Sequence, residues 1–109
     1  PSSVDSVPTS ANKEDHVSMG TFAARKAFDI AENVTNVLAV ELICAAQALD
    51  LRMPLEPSQT TSAVLDLVRN NIAHWKEDRL MHVAIDKACV LIKSGDIMKT
   101  VQKITGALN

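Results

Sequence analysis

From Lys13 to Leu51 the chain contains no proline, and its one glycine there, Gly20, falls near the start. This uninterrupted stretch constrains the fold more than any other feature. Asn12, with Asp15 three residues on, has the look of a helix start, and Glu14 and Asp15 suit the positive end of a helix. Val17, Ala24, Phe28, Ala31, Leu38, Leu42, Ala45 and Leu49 then recur at helical spacings. Glu14, Ser18, Thr21, Arg25, Asp29, Glu32 and Asn36 form a polar stripe opposite the early part. The pattern predicts one helix over 13–51, on the order of 55 Å long at about 1.5 Å per residue.

The two halves of that helix read differently. Between Val37 and Leu49 the apolar residues surround the axis, and many are alanine. A helix apolar all round is buried on all sides, and small residues let neighbouring helices come close. Arg52-Met53-Pro54-Leu55-Glu56-Pro57 is a linker, since two prolines stop the helix. Thr60 or Thr61 is then expected to cap a short helix carrying Val64, Leu65, Val68 and Ile72. A third helix runs from about Leu80 to Lys93 through Ala84, Ala88 and Leu91, stopping at Ser94-Gly95. Asp96 is expected to cap the last helix, with Ile97, Val101 and Ile104 on one face. No strand, hairpin or repeat signal stands out, so the expected class is all-α: one long buried helix, then three shorter ones. Three short helices cannot sheath so long a helix on every side. Either the chain oligomerises through it, or further helices come from elsewhere in a longer polypeptide. The opening at Pro1 rather than Met fits the second option.

Composition closes several routes. At 109 residues the chain is one domain at most. Aromatic residues are 3% of the chain, too few for a platform that stacks bases or sugars. A net charge of −2 leaves no basic footprint, so no nucleic-acid partner is expected. The stretch Val37–Leu49 is interrupted by Glu41 and Gln47 and falls short of the roughly 20 apolar residues of a membrane span, so no membrane role is expected. The polar opening segment has no signal-peptide pattern. Cys44 and Cys89 are read as free buried thiols in a reducing, cytoplasmic setting. Neither they nor His16, His74 and His82 have zinc-ligand spacing, and no metal is expected.

The densest cluster of reactive side chains is Lys13-Glu14-Asp15-His16, a cation, two carboxylates and an imidazole at a loop–helix junction. Such groups can do acid–base work, because the junction exposes them while the helix holds them. On spacing alone the plainer account holds: the acids complement the helix dipole and His16 lies on the surface. Glu41, a carboxylate inside the apolar run, must be paired, hydrogen-bonded or protonated, and is expected to meet a structural partner across the bundle. Lys76-Glu77-Asp78-Arg79 reads as a solvated turn, with Trp75 anchoring it to the bundle.

The segment Val4-Asp5-Ser6, then Thr9-Ser10-Ala11, then Glu14-Asp15-His16-Val17-Ser18-Met19-Gly20 resembles the histidine ammonia-lyases. Ala23-Ala24-Arg25-Lys26-Ala27 and Ala45-Ala46-Gln47-Ala48-Leu49-Asp50 are similar to the long helix of that family. The likeness is strong over residues 1–51 and looser beyond, through features such as Lys76-Glu77-Asp78-Arg79. It implies an active-site loop over 1–12, a central bundle helix over 13–51 and short C-terminal helices over 52–109, all within one larger helical lyase domain. It implies elimination of ammonia from L-histidine to give trans-urocanate in histidine breakdown. The electrophile is a methylidene-imidazolone group made autocatalytically from an Ala-Ser-Gly triplet, and the enzymes are homotetramers. Glu14 matches the family's active-site glutamate and is expected to be catalytic and to contact substrate. Related phenylalanine and tyrosine lyases have Gln there, so Glu14 favours histidine, whose N–H groups a carboxylate accepts. Lys13, where many members have Gln, is a second candidate substrate contact. The triplet is absent from these 109 residues, so the chain alone is expected to be inactive. The alternatives are a helical oligomerisation module without chemistry, or an aromatic amino acid lyase or aminomutase of the same fold.

Overall fold

The computed structural model of the chain describes residues 10–13 and 19–107. Its described elements are a 3-10 turn at Ser10–Asn12 and four α-helices. These are α1 (Gly20–Leu51), α2 (Gln59–Asn71), α3 (Met81–Ser94) and α4 (Asp96–Thr105). No strand occurs among the described residues, and the all-α expectation of one long helix and three short ones holds. The chain divides into two compact units, residues 1–34 and residues 35–109.

α1 begins later than expected. Lys13 lies in a turn and Met19 is not helical, so the helix starts at Gly20. Ser10 and Ala11, ahead of the expected helix, have φ of 46° and 56°, in the left-handed region. Glu14, Asp15 and Val17, assigned to the helix from the sequence, lie outside the described residues.

The second unit holds the core. Ala39, Ile43 and Ala46 of α1 pack with Val68 of α2, with Ile72 just past its end, and with Ala84 and Ala88 of α3. Alanines on both α1 and α3 bring these helices close, and Ile43 and Val68, fully buried, fill the space between. Each of these two side chains contributes about 1.5–3 kcal/mol of burial. The core stripe is not the expected one. It is displaced by one residue from Leu38, Leu42 and Ala45, which is about 100° round the helix. Leu38 is exposed and Leu42 only packs against the cluster's edge. A run that is apolar on every side offers no preferred face, so packing made the choice.

Nor is α1 enclosed by this chain. Val37, Leu38 and Val40 are 65%, 45% and 41% exposed, and Glu41 and Cys44 are exposed with them. Val37, Val40, Glu41 and Cys44 line the side opposite Ala39, Ile43 and Ala46. The expected partner for Glu41 is therefore not met among the described residues, because neither α2 nor α3 covers that side. Cys44 is free but not buried, and Cys89 is free and half-buried. By length and composition α1 also suffices to cross a membrane, contrary to the shorter apolar stretch read from the sequence. Its packed stripe is equally that of a core helix in a water-soluble bundle.

The shorter helices follow the sequence closely. The cap of α2 is Ser58 rather than Thr60 or Thr61; its Oγ accepts from the Thr61 N–H at 3.3 Å. Ala84, Ala88 and Leu91 are the buried face of α3, as expected. Gly95 stops α3 with φ of 74°, where a side chain would be strained. Asp96 is the first residue of α4 rather than its cap. Its carboxylate accepts from Lys99 Nζ at 2.9 Å and Ser94 Oγ at 2.8 Å. These bonds hold it below the usual carboxylate range.

Candidate functional site

Of the cluster singled out in the sequence, Lys13 alone is described. It is exposed, and its backbone N–H donates to the Ser10 carbonyl at 3.1 Å, closing the turn. Glu14, Asp15 and His16 lie outside the described residues. Just ahead of them stand Ser10 and Ala11, two successive non-glycine residues with positive φ. Left-handed backbone costs such residues on the order of 1–2 kcal/mol each, and strain of this kind collects where a binding or catalytic group must be aimed.

A second constellation sits at the other end of α1, and spacing did not disclose it. One oxygen, Asp50 Oδ2, receives Arg69 Nε at 2.8 Å and His74 Nδ1 at 2.8 Å. Arg69 Nη2 lies 2.7 Å from the same oxygen as an ion-pair contact, though it is not aligned as a hydrogen bond. Arg69 Nη1 donates to the Ile72 carbonyl at 3.0 Å, so one guanidinium joins α1 to the end of α2. Burial works against charge on Asp50, but the bonds from His74 and Arg69 outweigh it and hold the carboxyl below its ordinary 3.8.

One turn earlier on α1, Gln47 pairs with the backbone of Trp75 in both directions. Its Oε1 accepts the Trp75 N–H at 3.1 Å and its Nε2 donates to the Trp75 carbonyl at 3.1 Å. Nε2 also faces His74 Nε2 at 3.5 Å. Trp75 packs against the core, and the Arg79 guanidinium lies over its ring, 5.3 Å from the centroid. Trp75 is thus the anchor that the sequence indicated, and Lys76 to Arg79 are exposed around it. Among the described residues no group of His, Cys, Asp and Glu side chains is arranged to hold a metal ion.

The family model for aromatic amino acid lyases matches residues 1–70. The chain belongs to the aromatic amino acid lyase family. It is 48% identical over 108 residues to a histidine ammonia-lyase of Natranaerobius thermophilus, which covers 99% of this chain and 21% of that protein. It is 50% identical over 109 residues to histidine ammonia-lyase 1 of Fusobacterium nucleatum, again 99% of this chain and 21% of the relative. The crystal structure of histidine ammonia-lyase from Trypanosoma cruzi superposes with a TM-score of 0.86 at 46% identity, covering 94% of this chain and 20% of that one. The chain therefore spans about a fifth of the length of these relatives.

Within this lyase chain the two constellations differ in kind. The family model ends at residue 70, between Arg69 and His74, while the likeness to the named histidine ammonia-lyases runs on to the end of the chain. Gln47, Asp50 and Arg69 lie within the matched residues, and Asp50 and Gln47 hold His74 and Trp75, which follow them. The one sequence signal for this site was the resemblance of Gln47-Ala48-Leu49-Asp50 to the family helix: two polar residues three apart on an otherwise apolar segment.

Proposed function

We propose that this chain is the part of a histidine ammonia-lyase that brings one carboxylate, Glu14, to the substrate. The intact protein would convert L-histidine to trans-urocanate and ammonia as a cytoplasmic homotetramer. Glu14 would accept N–H bonds from the imidazole or ammonium group of histidine, orienting it for elimination. Lys13, its neighbour in the chain, would favour the ionised carboxylate if the two come close. The electrophile that withdraws electrons from the substrate, a methylidene-imidazolone group, would form from an Ala-Ser-Gly triplet elsewhere in the whole protein. These 109 residues hold no such triplet, and alone they would be inactive.

The observation that carries this reading is identity of 48–50%, spread along the chain, to proteins named histidine ammonia-lyase. The left-handed residues Ser10 and Ala11, shortly before Glu14, support a loop built to aim a functional group. The test is turnover of histidine, tyrosine and phenylalanine side by side by the full-length protein, following urocanate by its ultraviolet absorbance. Preference for tyrosine or phenylalanine would replace the reading with another lyase or aminomutase of this fold.

A second reading, a helical assembly module without chemistry, draws on the open apolar side of α1 at Val37 and Val40. The reading frame ahead of Pro1 separates the two. An Ala-Ser-Gly triplet there supports the enzyme, and a start codon immediately before Pro1 supports the module.

A further inference from the structure

We propose that the cleft between the end of α2 and the start of α3 binds a small carboxylate with a flat apolar body, Lys87 and Arg79 taking the carboxylate. The cleft has a volume of about 320 Å³, within the range of ordinary small-molecule sites. Three cations, Arg69, Arg79 and Lys87, line it, and among the described residues no Asp or Glu does. Helix polarity accounts for their gathering here. The carbonyls at the end of α2 carry partial negative charge and lack partners inside the helix, so cations collect on them. Lys87 Nζ donates to the Asn71 carbonyl at 3.2 Å and Arg69 Nη1 to the Ile72 carbonyl at 3.0 Å. Arg79 Nη2 donates to the Ala73 carbonyl, the next along the chain.

The three cations differ in what they have left to give. Arg69 is neutralised by Asp50. Lys87 and Arg79 are exposed and have no carboxylate partner among the described residues, unlike Lys99, which Asp96 holds at 2.9 Å. An ammonium and a guanidinium each carry several N–H donors, so a single carbonyl bond leaves both with donors to spare. Those carbonyl bonds also fix where the two charges stand, and Arg79 is held further by the Trp75 ring. Two cations set in place with unused donors suit the two oxygens of a carboxylate. The remaining walls select against a bare inorganic anion. Ile72 and Ala84 are buried in the lining, and Leu80 and Val83 are 74% and 47% exposed there. An apolar body would take Leu80 and Val83 out of water, which a phosphate ion does not do. Neither Lys13 nor Glu14 takes part, so this site stands or falls apart from the proposed reaction.

The experiment titrates the full-length protein with benzoate in a calorimeter, with benzamide and inorganic phosphate as comparisons, and follows hydrogen exchange of the peptide spanning residues 79–88. Benzoate should bind and slow exchange in that peptide. Benzamide, the same shape without the charge, should bind about tenfold more weakly, and so should phosphate. Lys87→Gln should weaken benzoate about tenfold, the worth of one charge-assisted hydrogen bond. Its amide still offers a donor to the Asn71 carbonyl, and unliganded exchange like that of the wild type shows that the variant is folded. Lys103→Gln, on α4 and outside the cleft, should change nothing. No benzoate binding at millimolar concentration overturns the proposal, as does binding that leaves exchange at 79–88 unchanged. Equal affinity for benzamide or for phosphate overturns it too, as does undiminished affinity in folded Lys87→Gln. Should that variant not fold, the wild-type comparison of benzoate with benzamide at this peptide decides alone.

Discussion

The two ends of α1 are built differently. Ahead of the helix, Ser10 and Ala11 are forced into left-handed backbone beside an exposed Lys13, and the turn leads into three adjacent titratable residues, Glu14, Asp15 and His16. Behind it, Asp50, Arg69, His74 and Gln47 lie within 2.7 to 3.5 Å of one another's polar atoms and tie three segments together. The first accepts backbone strain at Ser10 and Ala11; the second spends its charges on internal partners. A group meant to meet a substrate keeps hydrogen-bonding capacity to spare, whereas a structural group uses it up. With Glu14 proposed as the carboxylate that meets the substrate, perturbing the first end should change chemistry, and perturbing the second should change stability.

The largest effect is expected at the first end. In the full-length protein Glu14→Ala should reduce histidine turnover about a thousandfold, within the range for a lost acid–base or positioning group, with Glu14→Gln also impaired. Urocanate absorbance is the readout, and near-normal turnover in both variants would take Glu14 out of the mechanism and erase the contrast. Next comes the shared core: Ile43→Ala should cost about 3 kcal/mol in urea unfolding of the full-length protein, because neighbouring helices cannot close the gap.

At the second end, Asp50→Asn should cost about 2 kcal/mol near neutral pH, through loss of charge-assisted bonds from Arg69 and His74. The sign of its pH dependence follows from a folded-state value lowered below 3.8. The contribution of the carboxylate is complete above that value and fades as pH falls through the lower, folded one. Wild type and variant should therefore converge in strong acid; a gap that stays constant would mean the carboxylate's charge is not what matters. The smallest effect is at the cap of α2, where Ser58→Ala should cost about 1 kcal/mol in the same assay. Should Asp50→Asn depress turnover per folded site as much as Glu14→Ala, the two ends would not divide their tasks as described.

Much of this was legible in the order of residues. The proline pair in the linker, Ser94-Gly95 and the Ala84–Ala88–Leu91 spacing each act through local rules, and each appears as expected. Three other features were not settled by the sequence pattern. Thr60 and Thr61 were plausible caps until Ser58 placed its oxygen on the Thr61 N–H. Glu41 needed a partner only if its side of α1 were covered. The corner at Asp50 was not legible because Arg69 and His74 stand 19 and 24 residues away from it.

The number and order of the helices among the described residues, and family membership, were settled by sequence, because the turn residues, apolar period and motif runs that encode them are properties of neighbours along the chain. Which stripe of α1 became core, and which oxygen Arg69 and His74 share, were decided only in three dimensions. A helix segment apolar on all sides carries no preferred face, and a hydrogen bond between distant residues exists only once packing has brought donor and acceptor within about 3 Å.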